Sequence, residues 1–373
     1  MSLPLADVYL RLSLIAGLGP LIAERILAAA GDQPAAIFGW SQARLCAIDG
    51  VGPERARRIL NPHLDEQVES ERARAAALGL RIITRADDDY PVDLQRLNDP
   101  PLALWMRGEL RPEDRLAVAV VGPRNPSAYG HRQARRLAQG LASLGTCIIS
   151  GLARGVDTVA HEAALAAGGR TVAVLGSGFD HPYPEENRDL LARIADGRGA
   201  VISEFPCPTR PSPGTFPRRN RMVAALSLAT LVIEAGKRSG ALITARLAGE
   251  LGKEVMALPG PVDRPEHQGS NQLLRDGATL VTGLEEILAE IPPLATMAAP
   301  SAALVQAHEA AAPAARLSGR ERDIYALLSD VVRSVDEVVA VSGLPASVIG
   351  ATMVSLELKR LVRRQAGGFV RAV

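Results

Sequence analysis

The sequence predicts an α/β protein: a doubly wound, mainly parallel sheet, preceded by a helical domain and followed by a winged helix. Three observations carry that expectation. Short apolar runs alternate with helical patterns through the middle of the chain, and such alternation specifies parallel strands with helices packed on both faces. Two glycine-rich strand-to-helix turns lie in that region, Ser150-Gly151-Leu152-Ala153-Arg154-Gly155 and Glu234-Ala235-Gly236-Lys237-Arg238-Ser239-Gly240. The chain closes with three helical stretches and a Gly367-Gly368 hairpin signal.

At 373 residues the chain has length for about two or three domains and a large core. Residues 1–80 read as short helices, with Leu10, Leu14, Leu18, Ile22 and Ile26 near helical spacing. Gly17-Leu18-Gly19-Pro20 interrupts that pattern, and Gly50-Val51-Gly52-Pro53 repeats the interruption. This weak repeat resembles the helix-hairpin-helix element, whose Gly-x-Gly turn offers amides to a DNA phosphate. A plain helix-helix turn with a C-cap glycine reads equally well.

Residues 81–290 form the expected sheet domain. A strand over 81–84 is followed by an irregular lead-in punctuated by Pro91 and Pro100-Pro101. Strands are then expected over 116–121, 147–150, 171–175, 200–204, 228–234, 254–258 and 279–281, with helices over 130–144, 156–167 and 240–251. Residues 291–316 are rich in alanine and proline and read as a linker. In the tail, 317–373, helices are expected over 319–329, 335–341 and 346–361, ahead of the hairpin. The third would be a major-groove reader if the tail meets DNA, although small winged helices also serve as protein-contact modules.

Composition excludes little: hydrophobic residues make up 47%, charged residues 22%, and the net charge is +1. Clustering is more informative. Between Cys207 and Arg221 stand Arg210, Arg218, Arg219 and Arg221 with no acid, in a segment that Pro208, Pro211, Pro213 and Pro217 mark as a loop. Residues 358–373 carry Lys359, Arg360, Arg363, Arg364 and Arg371, again without an acid. Cys46, Cys147 and Cys207 show no metal-type spacing. With no signal-type or membrane-length apolar run, a cytoplasmic protein is expected.

Cofactor and catalytic readings fail residue by residue. A phosphate-binding loop of nucleotide triphosphatases needs Gly-Lys followed by Ser or Thr, whereas Gly236-Lys237 is followed by Arg238. A dinucleotide fingerprint must open a helix, which the prolines after Gly176-Ser177-Gly178 prevent. His161 and Glu162 lie within an expected helix, Ser150 has no evident base, and Asp157 sits where an acid caps amides. No catalytic residue, metal or cofactor is therefore expected, and the chain reads as a binder and not an enzyme. Anion binding at several turns along one sheet edge remains.

The ordered set of motifs resembles the DNA processing protein A family, also called Smf. It comprises Ser150-Gly151-Leu152-Ala153-Arg154-Gly155-Val156-Asp157, Ala160-His161, Leu175-Gly176-Ser177-Gly178, Tyr183-Pro184-x-x-Asn187 and Ser203-Glu204. It continues with Phe216-Pro217-x-Arg219-Asn220-Arg221, the 234–245 turn, Pro259-Gly260 and Gly269-x-Asn271-x-Leu273. The resemblance, dense over residues 80–290, implies a Rossmann-like domain that binds single-stranded DNA in a basic pocket, dimerises, and loads the RecA recombinase during natural transformation. It carries the family's basic residues onto Arg154, Arg219, Arg221 and Lys237. The family's Gly-Ser-Arg turn falls on Gly122-Pro123-Arg124, where proline removes a hydroxyl and an amide donor.

The expected interface thus combines Gly151, Gly176, Ser177, Gly178, Ser239 and Gly240 with Arg124, Arg154, Arg219, Arg221 and Lys237. Asn220 anchors the loop, and Phe179, Tyr183 or Phe216 offers a stacking surface. About five neutralised phosphates imply a log-affinity against log-salt slope of about −3.5. Two rival readings are a nucleotide hydrolase of the related Rossmann-like superfamily and a duplex-binding regulator using the winged helix. The hydrolase would need a Pro-Gly-Gly-x-Gly-Thr turn where this chain has Pro259-Gly260-Pro261.

Overall fold

The structure, a computed structural model, describes residues 3–294, 317–329, 332–359, 361–365 and 367–371. The chain divides into two compact units, Met1–Met297 and Ala298–Val373. The linker expected over 291–316 lies outside the described residues from 295 onward.

The first unit begins with helices α1 (Leu5–Leu14), α2 (Pro20–Ala30), α3 (Gln42–Cys46), α4 (Pro53–Ile59) and α5 (Leu64–Ala77). Gly17 and Gly50 take left-handed φ of 79° and 85°, and Pro20 and Pro53 open α2 and α4. The sequence repeat is therefore a structural one. Arg55 joins its halves by donating to the Gly17 and Gly50 carbonyls at 2.9 and 2.8 Å. These helices also close one face of the sheet. Leu10, Val68, Ala75 and Leu80 pack in one cluster with Trp105, Ala173, Leu175 and Phe179.

The sheet unit continues with β1 (Arg81–Thr84), α6 (Val92–Gln95), β2 (Ala103–Gly108), β3 (Ala117–Val121), α7 (Ala128–Ser143), β4 (Cys147–Ser150) and α8 (Val156–Ala166). Then follow β5 (Thr171–Val174), α9 (Arg188–Ala195), β6 (Gly199–Ser203), α10 (Thr215–Leu226), β7 (Ala229–Val232) and α11 (Gly240–Glu250). It ends with β8 (Glu254–Ala257), α12 (Gln268–Arg275), β9 (Thr279–Leu280) and α13 (Leu284–Ala289). The nine strands form one sheet in the order β1-β2-β6-β5-β4-β3-β7-β8-β9. Strands from β6 through β9 are parallel, while β1 and β2 add an antiparallel edge. This is the doubly wound sheet that the strand-helix alternation predicts. The chain builds outward from β3 to β4 and later returns to β7 on the other side, so the topological switch point lies at the carboxyl ends of β3 and β7.

Two segments differ from the sequence reading. The lead-in is not irregular: Ala103–Gly108 forms β2, buried through Met106, with Trp105 fully enclosed. The arginine-rich segment is not wholly a loop, because α10 spans Thr215–Leu226. Pro217 is tolerated in its first turn, where amides have no intrahelical acceptor to lose.

The second unit holds helices Gly319–Leu327, Val335–Ser342 and Ala346–Leu358, then the hairpin β10 (Val362–Gln365) and β11 (Gly368–Arg371). The third helix ends three residues earlier than predicted. Capping boxes, Ser318 with Glu321 and Ser334 with Glu337, start the first two. Ile324, Val338, Ile349, Met353, Leu356 and Phe369 make the core of this winged helix. The tail cations are partly engaged. Lys359 pairs with Glu321 at 2.6 Å and Arg371 donates to the Tyr325 carbonyl at 2.8 Å, while Arg363 and Arg364 are exposed. Arg360 lies outside the described residues. Among the described residues no single helix is long and apolar enough to cross a membrane.

Candidate nucleic-acid interface

At the switch point the turns after β3, β4 and β7 enclose a cleft of about 630 Å³. Gly122, Pro123 and Arg124 form one wall; Gly151 and Ala153 contribute a second; Gly236 to Gly240 supply a third. The remaining wall is one face of α10, through Phe216, Arg219, Asn220 and Val223. Their spacing of i, i+3, i+4 and i+7 is that of a single helical face.

Small residues lock these turns together. Gly155 has φ 77°, and a Cβ there would run into the carbonyl oxygens of Pro123 and Arg124. Gly122 similarly leaves room for Val156, whose amide donates to the Pro123 carbonyl at 3.2 Å. Proline at 123 thus lacks a hydroxyl and an amide, yet its carbonyl helps to fix the turn. Buried Glu234, after β7, accepts from the Ser127 amide at 3.2 Å and hydroxyl at 2.6 Å. The carbonyl of Ala235 accepts from Gly269 and Ser270 amides at 2.7 and 3.1 Å. Asn271 binds both backbone groups of Gly260. Much of the motif set therefore builds the frame of the cleft.

Arg219 is its buried cation, 5% exposed, and donates Nη1 to the Gly151 and Val174 carbonyls. Gly151 is required because a Cβ would occupy the space of that guanidinium. Burial pulls the Arg219 pKa down to about 10, with Asp157 opposing the shift, so the group remains a cation at neutral pH. Burial also raises the Asp157 pKa, against the field of Arg219 and the amides of Ala153 and Gly151. Those amides donate to Asp157 Oδ2 at 3.3 and 3.1 Å, so this acid braces the turn. Asn220 Oδ1 accepts from Arg219 Nε at 3.1 Å, and its amide reaches the Gly240 carbonyl at 3.5 Å. Arg124, Lys237 and Arg238 are exposed at the mouth.

Of the sequence-predicted residues, Arg124, Gly151, Arg219, Asn220, Lys237, Ser239 and Gly240 meet in the cleft. The others do not line it. Arg221 lies two positions from Arg219, roughly 200° around a helix, and is buried against Glu204 and Asp99. It is a structural ion pair, not a phosphate contact. Gly176 packs beneath the Phe216 ring, and Gly178 abuts the Pro206 and Cys207 carbonyls. Ser177 is buried, with its carbonyl accepting from Ser203 Oγ at 2.8 Å.

Amides expected to meet phosphate are also engaged: Gly151 donates to Asp157, and Gly178 to the Thr209 carbonyl at 2.9 Å. Ser239 Oγ caps α11 by accepting from the Ala241 amide at 3.3 Å. Arg154 stands at the rim, paired with Glu186. Phe179 belongs to the core, whereas Phe216 and Tyr183 are half-buried and touch each other. Sequence reasoning omits Arg238, Thr244 and Gln268 from the site. Arg238 was detectable from its place beside Lys237; Gln268 is far along the chain and had no local signal.

Residues 81–292 match the family model of DNA recombination-mediator protein A, residues 308–368 that of the DprA winged helix domain, and residues 9–61 that of the SAM-like helix-hairpin-helix tandem. Protein Smf of Escherichia coli K12 is 36% identical over 348 residues, covering 91% of this chain and 92% of its own. The X-ray structure of DNA processing protein A from Streptococcus pneumoniae aligns with TM-score 0.67 at 33% identity, over 78% of this chain and 99% of its own. A structure of DNA processing protein A from Helicobacter pylori, addressing its single-stranded DNA binding mode, aligns with TM-score 0.50 at 32% identity, over 56% of this chain and 94% of its own. The family model spans more than half of the chain and the Escherichia coli relative most of it, so the chain belongs to the DNA processing protein A (DNA recombination-mediator protein A) family.

Proposed function

We propose that the cleft binds single-stranded DNA through its phosphates and that the bound strand is handed to the RecA recombinase in DNA uptake and homologous recombination. One observation carries the binding reading: exposed Arg124, Lys237 and Arg238 ring a buried Arg219 at the switch point of the sheet. A low-dielectric floor holding a cation raises the potential felt by a phosphate at the mouth. The half-buried Phe216 ring on the same wall suits a base, because stacking tolerates any sequence. The Helicobacter pylori relative's single-strand binding supports the same ligand.

Binding without turnover is the favoured mode. Among the residues lining the cleft, Asp157 is the acid, and its carboxylate is engaged by backbone amides. His161 is enclosed, and burial holds its pKa down to about 3, which keeps it neutral. Homodimerisation is supported by the exposed apolar Val262 and Leu280 on the β8–β9 side of the sheet. A cytoplasmic setting is supported by free Cys46, Cys147 and Cys207.

The direct test is competition between labelled single strand and unlabelled duplex on the full chain. Single-strand preference that disappears when Arg124 and Lys237 are both replaced by alanine supports the proposal; duplex preference overturns it. Recombinase loading is tested by the lag of RecA filament growth on single strands with and without the protein. An unchanged lag removes that part.

A further inference from the structure

On the β4–β5 side of the cleft, two touching rings stand between two cations. The Arg124 guanidinium lies 5.2 Å from the Phe216 ring centroid, Phe216 and Tyr183 have centroids 5.7 Å apart, and Arg154 lies 5.7 Å from the Tyr183 ring. Because Phe216 lines the cleft, the row leads outward from it along the sheet edge. An acid ends the row: Glu186 Oε1 accepts from Arg154 at 2.6 Å.

Exposed ion pairs usually contribute little, since ordering two long side chains offsets the attraction. Here both backbones are already held together. Asn187, buried beside Glu186, donates to the Leu152 carbonyl and to Thr158 Oγ1, both at 2.8 Å. Thr158 Oγ1 in turn donates to the Ala153 carbonyl at 2.7 Å. The turn bearing the carboxylate and the loop bearing the guanidinium are thus riveted to each other.

We propose that Glu186 is a built-in competitor at the outer end of the interface, where a single strand leaving the cleft would stack on Tyr183 and meet Arg154 through a phosphate. The carboxylate holds the Arg154 guanidinium until a strand phosphate replaces it. A strand confined to the cleft leaves the pair intact. A longer strand gains the Tyr183 face and the Arg154 contact, minus the pair it displaces. The extension is thereby weakened in proportion to that pair, which leaves this end of the strand easier to release. The inference rests on the single-strand reading of the cleft.

The test is a double-mutant cycle on the full chain, read as affinity for a long single strand by fluorescence anisotropy at low salt. Glu186→Gln is expected to tighten binding about 2- to 5-fold, the range of an exposed ion pair, and to leave a short oligonucleotide confined to the cleft unaffected. In an Arg154→Ala background the same substitution is expected to change nothing. Tyr183→Leu should weaken the long strand about fivefold or more, as loss of a stacking platform does. Equal tightening in the Arg154→Ala background would reveal a general charge effect and overturn the competitor; so would no tightening in the parent. If the parent protein binds no single strand, the cleft reading falls and takes this inference with it. A binding parent with a flat cycle sinks the competitor, and an unaltered long-strand affinity in Tyr183→Leu sinks the stacking contact.

Discussion

Replacing Arg124 and Lys237 together by alanine tests the cleft most sharply, because the structure separates mouth cations from framework cations. Arg124, Lys237 and Arg238 are exposed there. Arg219 is held by two backbone carbonyls and faces Asp157; Arg221 is buried with Glu204 and Asp99. Each phosphate neutralised on a single strand adds about 0.7 to the salt slope. On a short strand confined to the cleft, three mouth cations therefore give a slope of about −2, shallower than the −3.5 implied by five, and about a 20-fold loss of affinity when salt rises fourfold. With Arg238 alone remaining, the slope should fall to about −0.7 and the loss to about threefold. Anisotropy titrations across a salt series read both values. Arg221→Ala should leave the slope at the parent value. An unchanged slope in the double variant, or a drop for Arg221→Ala matching that of Lys237→Ala, would refute the separation.

Two further outcomes concern the frame of the cleft and one the winged helix. Arg221→Ala should lower unfolding free energy by about 1–3 kcal/mol, since it removes one of the two arginines paired with buried Glu204 and leaves Arg218; chemical denaturation reads this, and Glu204→Gln in that background should restore part of the loss. Gly155→Ala places a Cβ at φ 77° against the Pro123 and Arg124 carbonyls. It should destabilise by about 1 kcal/mol or more and also weaken single-strand binding by moving Arg124, an effect visible in anisotropy at temperatures where the variant stays folded. In the winged helix, Lys359 and the Ser318 amide pull Glu321 down to about 2. Its folded value lies below its ordinary one of 4.5, so its contribution is full above that value and is lost as pH falls toward 2. Thermal melts of the full chain followed by Met353 methyl NMR should show this loss, and Glu321→Gln should flatten it.

The sheet was legible because its strands are short unbroken apolar runs, such as Ala117–Val121 and Ala229–Val232, set between helices and glycine turns. The winged helix was legible from three helical stretches and a Gly-Gly tip. Strand β2 was obscured by Pro100-Pro101 just before it, a punctuation that reads as loop although its Trp105 is enclosed by α1, α5 and the sheet. Helix α10 was obscured by Pro217, which is forbidden in a helix interior but allowed in a first turn. Missing that helix also hid the phase that parts Arg219 from Arg221.

From residue types and spacing alone came the layer order, the glycine corners at one sheet edge and the presence of guanidinium groups beside them, because local periodicity and turn chemistry are written in neighbouring residues. Which guanidinium is free, which is tied to a carbonyl and which is cancelled by a carboxylate depended on partners far along the chain: Gly151 for Arg219, Glu204 for Arg221, Glu186 for Arg154. Charge in a protein acts through its surroundings, and folding supplies those surroundings.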